Sequence, residues 1–158
     1  MRSILDDHKE LPAEVFESHG TIRFICEFPL VIYALLNGGT LIMDEFDASI
    51  HPMALMNIIT VFHNDEVNKN NAQLVFNTHN PLFLNSSLFR RDEIKFVERN
   101  EETGNSEHYA LSDFKTADGT GNGGDYMDNY FAGRYGAIRD IDFSPMLEKI
   151  MLQDKICQ

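Results

Sequence analysis

The sequence predicts an α/β fold, because two short apolar runs are separated by one helical pattern. The runs at residues 41–43 and 73–76 have the length and composition of buried strands. Between them, Pro52 starts a predicted helix that frays near Asn68, with its apolar side formed by Leu55, Ile58, Ile59 and Phe62. A strand, a helix and a strand in this order form a βαβ unit, whose parallel strands end at the same edge of a sheet.

Length and charge narrow the class of protein. The chain has 158 residues, with 25 acidic and 13 basic residues and a formal net charge of −12. It is long enough for one domain with a sizeable core. The acidic balance disfavours binding of nucleic acid by this segment alone, because negative charges repel a phosphate backbone.

Two further features bear on the cellular compartment. Cys26 and Cys157 lie far apart and form neither a metal-ligand spacing nor a disulfide framework, which suits a reducing environment. The N-terminus has no apolar signal core, and the longest apolar run, residues 28–36, is too short to span a bilayer. We therefore expect a cytoplasmic protein without a membrane partner.

A helix is predicted after the polar and mixed residues 1–16, which we expect to pack on another surface. Its predicted inner face is a series of residues at three- and four-residue spacing, Ile22, Ile25, Pro29, Ile32 and Leu36. Gly38 and Gly39 end it. At its start, Ser18 and Gly20 leave backbone N–H groups available for a phosphate, although an ordinary helix cap explains the same residues.

Polar residues follow both predicted strands. Asp44 and Glu45 come directly after the first strand, and neighbouring acids are unfavourable unless a cation or a polar ligand lies between them. A metal–nucleotide site is one interpretation, and a core strand that runs into an acidic helix cap is the other. His79 follows the second strand, so parallel pairing places it near both acids, although many such histidines are simple loop residues.

The second half of the chain predicts a hairpin and a loop. Strands at residues 93–98 and 108–111 flank a turn at residues 100–106. The glycine-rich stretch from Thr116 to Asp128, which includes Gly119 and Gly124, lacks the Lys-Ser/Thr pair of a phosphate loop. We expect a flexible surface loop there.

The C-terminal residues predict an aromatic cluster and a helix. Residues 130–138 suggest a tight turn packed on the sheet, with an anion contact through Arg134 as the alternative. Residues 145–156 predict a final helix, with inward-facing side chains at Met146, Ile150 and Met151.

Four motifs, in this order, resemble the C-terminal half of an ABC-type ATPase head. They are ESHGT at residues 17–21 (the signature motif), LIMDE at 41–45 (Walker B), DASIHP at 47–52 (the D-loop) and NTH at 77–79 (the switch histidine). The sequence is most similar to the chromosome-maintenance and RecF-like branch, and within it to ATP-binding proteins of bacterial abortive-infection, retron and related anti-phage systems. LSDFK at residues 111–115 and GRYGAI at residues 133–138 also resemble that group.

This resemblance implies a fold and an organisation for the chain. The fold is a P-loop NTPase-like C-terminal lobe, with a parallel βαβ core, flanking helices and a C-terminal hairpin. Residues 1–158 then form one lobe, with an N-terminal segment at 1–16, the motif-bearing core at 17–98 and the hairpin, glycine-rich loop and terminal helix at 99–158.

The resemblance also implies ATP and Mg²⁺ as cofactors and a role for three side chains. Asp44 would hold the Mg²⁺ shell, and Glu45 would orient and deprotonate the attacking water. His79 would contact the terminal phosphate. Positioning and charge stabilisation supply most of the catalysis in phosphoryl transfer, so such a small set of groups suffices.

The remaining motif residues imply a pair of ATPase subunits. Ser18 and the N–H groups near Gly20 would contact the phosphate of the nucleotide held by the opposite subunit. Asp47 and Ser49 would line the seam between the two. His19 and Thr21 depart from the commoner transporter form of the signature motif.

The Walker A loop is absent from the sequence. No G-x-x-x-x-G-K-[S/T] occurs in the 158 residues, so we expect the segment to be inactive by itself and to need a Walker A-bearing N-terminal half. The chain is then a fragment or a split product, and a degenerate relative is the alternative.

Two other functions remain open from the sequence. One is a non-catalytic scaffold that binds a nuclease or toxin effector. The other is a metal-dependent hydrolase built from Asp44, Glu45, His51, His63 and His79.

Overall fold

The chain forms two compact units, residues 1–90 and residues 91–158. A computed structural model describes residues 2–6, 9–100, 102–115, 125–138 and 142–154, with side chains described between residues 12 and 151 of these ranges. The boundary lies ahead of the hairpin, whereas the sequence analysis ended its core segment at residue 98.

The first unit begins with an antiparallel strand pair that the sequence analysis did not predict. Its elements are β1 (Arg2–Asp6), β2 (Lys9–Pro12), α1 (Ala13–Phe16), α2 (His19–Asn37), β3 (Thr40–Met43), α3 (Pro52–Phe62) and β4 (Gln73–Phe76), followed by a short 3-10 turn at Pro81–Phe83. β1 pairs with β2 in antiparallel fashion. The mixed polar composition of residues 1–16 shows no clear alternation, so this hairpin leaves little trace in the sequence.

The predicted parallel βαβ unit is confirmed. β3 and β4 pair in parallel, with Thr40 opposite Gln73 and Met43 opposite Phe76. The intervening helix α3 buries the predicted side chains, namely Leu55, Ile58, Ile59 and Phe62. It ends at Phe62 rather than near Asn68. The buried Asn68 amide instead donates to the carbonyl oxygens of Phe62, at 2.8 Å, and Ala72, at 2.9 Å, and so ties the end of α3 to the start of β4.

The two faces of the β3–β4 sheet have different surroundings. Leu41, Met43, Leu74 and Phe76 alternate onto the face that packs on the core. Ile42 and Val75 lie on the opposite face, where they are 76% and 52% exposed. One face of this sheet is therefore covered by helices and the other is open in the described first unit.

Helix α2 has the predicted bounds but buries a different face from the predicted one. Val31 and Ala34 are its buried residues, whereas Ile25, Ile32 and Leu36 are exposed. The prediction of the inner face is wrong because apolar residues lie on both sides of α2, and their spacing alone does not show which side packs on the core. By length and composition alone, α2 is the one helix in the described part of the chain that could cross a membrane, and core helices of soluble domains pass the same test.

The second unit contains the predicted hairpin. Its strands β5 (Lys95–Arg99) and β6 (Ser106–Ala110) pair in antiparallel fashion, and its helices are α4 (Tyr126–Phe131) and α5 (Ser144–Asp154). The ring of Phe96 packs on those of Tyr109, Tyr130 and Tyr135, at centroid distances of 5.8, 5.9 and 5.7 Å.

Three predictions for the second unit have different outcomes. The packed turn at residues 130–138 is confirmed, since Tyr135 is buried and the guanidinium of Arg134 donates to the side-chain oxygen of Asn129 at 2.8 Å. The inward packing of α5 is wrong: its apolar residues, Met146, Ile150 and Met151, are exposed, because no described element of this unit covers that side. Residues 116–124 of the predicted glycine-rich loop lie outside the described residues, and the loop prediction is wrong for its last residues, because Asp125 caps α4 and Tyr126–Asp128 belong to that helix.

Candidate functional site

The acidic pair lies in the turn at residues 44–49, called the acidic turn below. The residue after the pair anchors this turn. Asp44 and Glu45 follow the last residue of β3, and both are exposed. Phe46 is only 1% exposed, and its ring packs on those of Phe76, at 4.6 Å, and Phe83, at 6.5 Å. Burial of a phenylalanine is worth about 2–3 kcal/mol. This anchor holds the turn against the core while the neighbouring carboxylates face solvent.

Asn77 joins the end of β4 to the acidic turn. Its N–H donates to the carbonyl oxygen of Met43 at 3.3 Å, and its own carbonyl oxygen accepts from the N–H of Phe46 at 3.2 Å. Its side chain binds both acidic residues: Nδ2 donates to Asp44 Oδ1 at 2.6 Å, and Oδ1 accepts from the N–H of Glu45 at 2.6 Å. Asn77 was not predicted to have a role of its own, although the parallel register places it next to Asp44.

Two residues of the turn have a backbone conformation that is uncommon for residues other than glycine. Glu45 has φ of +48° and Ser49 has φ of +65°. The N–H of Ala48 closes the turn on the carbonyl oxygen of Glu45 at 2.9 Å. Such conformations cost of order 1–3 kcal/mol and persist only where surrounding contacts impose them.

The start of α2 packs directly on this turn. The hydroxyl of Ser18 accepts from the N–H of Thr21 at 3.1 Å, so Ser18 is the predicted N-cap. A Cβ atom at Gly20 would lie 1.9 Å from the carbonyl oxygen of Ser49, which leaves no space for any side chain there. The structure therefore brings the start of α2 into contact with the backbone of Ser49.

Arg23 provides a second link between α2 and the turn. Its Nη2 donates to the carbonyl oxygens of Glu45, at 2.9 Å, and Asp44, at 3.4 Å, and its Nη1 donates to that of Ala48 at 3.0 Å. Its Nε pairs with Glu27 Oε1 at 2.6 Å. The sequence analysis missed Arg23, and the signal that could have found it is a single arginine among the apolar residues of α2.

His79 lies two residues beyond Asn77 at the same end of the sheet, and it is exposed. The flanking loop is ordered by its neighbours, because the N–H of Asn80 donates to the hydroxyl of Thr78 at 3.0 Å. Among the described hydrogen bonds and ion pairs, none joins the imidazole of His79 to Asp44 or Glu45. The catalytic role of His79 stays a prediction, as do the roles of the other motif residues.

The side chains at the acidic turn suit a hard cation held together with a polyphosphate. Mg²⁺ binds through one or two carboxylates and keeps several water or phosphate oxygens, so it does not need a cage of protein ligands. Asp44 and Glu45 supply exposed carboxylates, and Asn77 orients one oxygen of Asp44.

A metal centre made of protein side chains alone is not formed. Within the described residues, no group of three or more His, Cys, Asp or Glu side chains is arranged to hold a metal ion. His51 caps α3 by accepting from the N–H of Met53 at 3.2 Å, and the ring of His63 packs edge-on against Phe89. The described structure therefore does not bring His51 and His63 together with the acidic pair, as the alternative of a metal-dependent hydrolase would need.

Comparison with known proteins gives one family. The chain matches, over residues 4–85, the model of a family described as "AAA domain, putative AbiEii toxin, Type IV TA system". The match covers just over half of the 158 residues and includes α2, β3, α3 and β4. No curated protein and no solved structure matches the chain.

Proposed function

The chain belongs to this AAA domain family, and on that premise we propose that it is the ATP-binding and hydrolysing lobe of a dimerising ABC-type ATPase in a bacterial anti-phage defence complex. The observation that carries the proposal is the shared edge of β3 and β4, where Asp44 and Glu45 follow one strand and Asn77 and His79 follow the other. Ligands bind beyond the carboxyl ends of parallel strands in α/β sheets. The family description names a toxin and a toxin–antitoxin system, which supports a role in defence.

The roles of three side chains follow from their chemistry at this edge. Asp44 holds the Mg²⁺ shell, and the bound ion supplies charge that neutralises the phosphate oxygens of ATP. Glu45 accepts a proton from the attacking water. His79 donates a hydrogen bond to an oxygen of the terminal phosphate and so helps to stabilise the charge of that group in the transition state.

The start of α2 and the segment after Glu45 form the proposed seam with a second subunit. The contact between Gly20 and the backbone of Ser49 places Ser18, Asp47 and Ser49 in one region of the first unit. A helix start carries unpaired N–H groups and a partial positive charge, and both favour a phosphate. We therefore assign to Ser18 and Gly20 a contact with the nucleotide of the opposite subunit.

The open face of the β3–β4 sheet supports a Walker A-bearing partner half. Parallel sheets are almost always covered on both faces, yet Ile42 and Val75 are largely exposed. No Walker A motif occurs in the 158 residues. We propose that the Walker A-bearing half adds strands and a covering layer here, and that the lobe is inactive without it.

The test of the proposed function is Glu45→Gln in the complete head, with the Walker A-bearing half present. Loss of a general base lowers kcat by about 10²–10⁴-fold. We expect that loss with ATP binding and ATP-dependent pairing retained, because glutamine keeps the shape of the side chain. Glu66→Gln, an exposed acid in the loop after α3, is the matched control and should leave kcat unchanged. Turnover that survives Glu45→Gln contradicts the proposal.

A non-catalytic scaffold for a nuclease or toxin effector is the second candidate. The exposed apolar side chains of α5 favour it, because exposed apolar groups that cluster on one element commonly mark binding surfaces. The same variant separates the two functions. A scaffold keeps its defence activity after Glu45→Gln, whereas the ATPase loses it.

A further inference from the structure

All three guanidinium nitrogens of Arg23 donate hydrogen bonds, either to the acidic turn or to Glu27 on the same helix. Nε pairs with Glu27, and the two terminal nitrogens donate to three carbonyl oxygens of the turn, those of Asp44, Glu45 and Ala48. The side chain is 21% exposed: its hydrogen bonds to Glu27 and Ala48 are partly buried, and those to Asp44 and Glu45 are exposed to water. The planar fork of an arginine can satisfy several acceptors at once, which the single ammonium of lysine cannot do in the same geometry.

The backbone of Glu45 is held by side chains from two other elements. Its N–H is bound by Asn77 and its carbonyl oxygen by Arg23, while its φ of +48° lies in a region that few such residues adopt. The direction in which the Glu45 carboxylate leaves the turn depends on this backbone conformation. Contacts that hold the backbone thus also set the position of the carboxylate.

Arg23 also belongs to the helix that carries Ser18 and Gly20. It lies in the first turns of α2, whose start packs on Ser49. A displacement of the start of α2 is therefore transmitted to the carbonyl oxygens of the acidic turn through a short, hydrogen-bonded connection.

We propose that Arg23 is a positioning residue of the ATP site, which couples the start of α2 to the orientation of Glu45. The inference rests on the proposed function, in which Ser18 contacts a nucleotide and Glu45 acts on water. Arg23 itself touches neither. Its loss therefore lowers kcat, since a displacement of about 1 Å can cost about 10²-fold, and leaves KM for ATP nearly unchanged.

The experiment compares Arg23→Gln, Arg23→Lys and Glu27→Gln in the complete head. Arg23→Gln is expected to lower kcat by about 10–100-fold with KM changed less than about threefold. Arg23→Lys recovers part of the loss, because it keeps the charge but not the fork. Glu27→Gln is the matched control: it removes the ion pair, leaves the carbonyl contacts and keeps kcat within about threefold.

A double variant separates positioning from folding. With Glu45→Gln already present, Arg23→Gln is expected to have no further effect on residual hydrolysis, because no carboxylate is left to position. A further loss of the same size shows that Arg23 acts independently of Glu45 and overturns the inference. If Arg23→Gln does not fold, Arg23→Lys is compared in the same two proteins, the wild type and Glu45→Gln.

The inference and the proposed function fail in different ways. A complete head that shows no hydrolysis, or whose rate of hydrolysis is unchanged by Glu45→Gln, contradicts the proposed function. A head that hydrolyses ATP and needs Glu45, but keeps its kcat after Arg23→Gln, contradicts the inference alone.

Discussion

At the scale of single residues, the acidic turn depends on contacts that supply no chemistry themselves. Glu45 and Ser49 lie in a left-handed backbone conformation, and the side chains of Asn77 and Arg23 bind the peptide groups of Glu45. A hydrogen bond to a charged group is worth about 1.5–3 kcal/mol, enough to offset the cost of such a conformation. The turn is therefore stabilised by its neighbours rather than by its own sequence.

Gly20 gives a direct test of the packing between α2 and the turn. Gly20→Ala places a Cβ where the carbonyl oxygen of Ser49 lies, so we expect it to lower the free energy of unfolding by about 1–3 kcal/mol. Gly39→Ala is the matched control, because no atom lies within 4 Å of a Cβ at that position. Urea denaturation of both variants measures the difference.

An equal stability for the two alanine variants would show that α2 does not approach Ser49 so closely. The same packing can also be tested by measuring ATP-dependent pairing of the complete head. Gly20→Ala is expected to reduce ATP-dependent pairing, since it displaces the start of α2, whereas Gly39→Ala is not.

The sequence revealed the candidate acids but not the residues that hold them. Asp44 and Glu45 stand out because they come directly after one apolar run, and His79 because it lies three residues after the next one. Asn77 and Arg23 act through hydrogen bonds to peptide groups, and these depend on strand register and on which side of α2 faces the turn. Spacing can mark both residues as candidates, but it does not show which peptide groups they bind.

At the scale of elements, periodicity selected the buried side of one helix and the exposed side of the other. In α3 it selected the four side chains that are buried, whereas in α2 it selected Ile25, Ile32 and Leu36, which are exposed. α2 also buries Val31 and Ala34, so it carries apolar residues on both sides. Gly20 and Arg23 pack on the acidic turn and so face the same way as the buried side of α2. These are long-range contacts, which spacing in the sequence does not reveal.

The hairpin of the second unit has a tyrosine whose ionisation is coupled to folding. Burial, followed by the charge and the hydrogen bond of Glu98, raises the pKa of Tyr109 from 10.0 to about 12. Its hydroxyl lies 2.7 Å from the carbonyl oxygen of Tyr135, to which it donates. Since the folded state holds this proton more tightly, the stabilisation is complete below pH 10 and is lost as the pH rises towards 12.

Tyr109→Phe tests this coupling. We expect it to cost about 1 kcal/mol near neutral pH, through loss of the hydrogen bond, and to reduce the fall in stability between pH 10 and about 12. Urea midpoints at several pH values measure both effects. Tyr33→Phe, at an exposed position of α2, should keep the alkaline slope of the wild type. If Tyr109→Phe keeps the whole slope, Tyr109 is not the group that titrates.

At the scale of the whole molecule, the order of the motifs was visible in the sequence and the surfaces around them were not. The matched family region contains every residue of the four predicted motifs, at 17–21, 41–45, 47–52 and 77–79. By contrast, Ile42, Val75 and the apolar side of α5 are exposed. Sequence reasoning assumes that apolar residues are covered within the chain, and these residues are not covered in the described part of it.

We also predict that the two subunits of the proposed pair share each ATP site. Ser18→Asp keeps a good helix cap but places a negative charge near the phosphate, and Ser18→Asn is its neutral control. Ser18→Asp damages the site of the opposite subunit, whereas Glu45→Gln damages the site of its own subunit. Each variant alone should therefore form inactive pairs.

The most direct measurement is the ATPase rate of a mixture of the Ser18→Asp and Glu45→Gln complete heads. Mixing equal amounts is expected to restore about a quarter of the wild-type rate, because half of the pairs are mixed and each mixed pair keeps one intact site. A mixture that stays as inactive as its two components, while Ser18→Asn remains active, would contradict a site shared between two copies of the lobe.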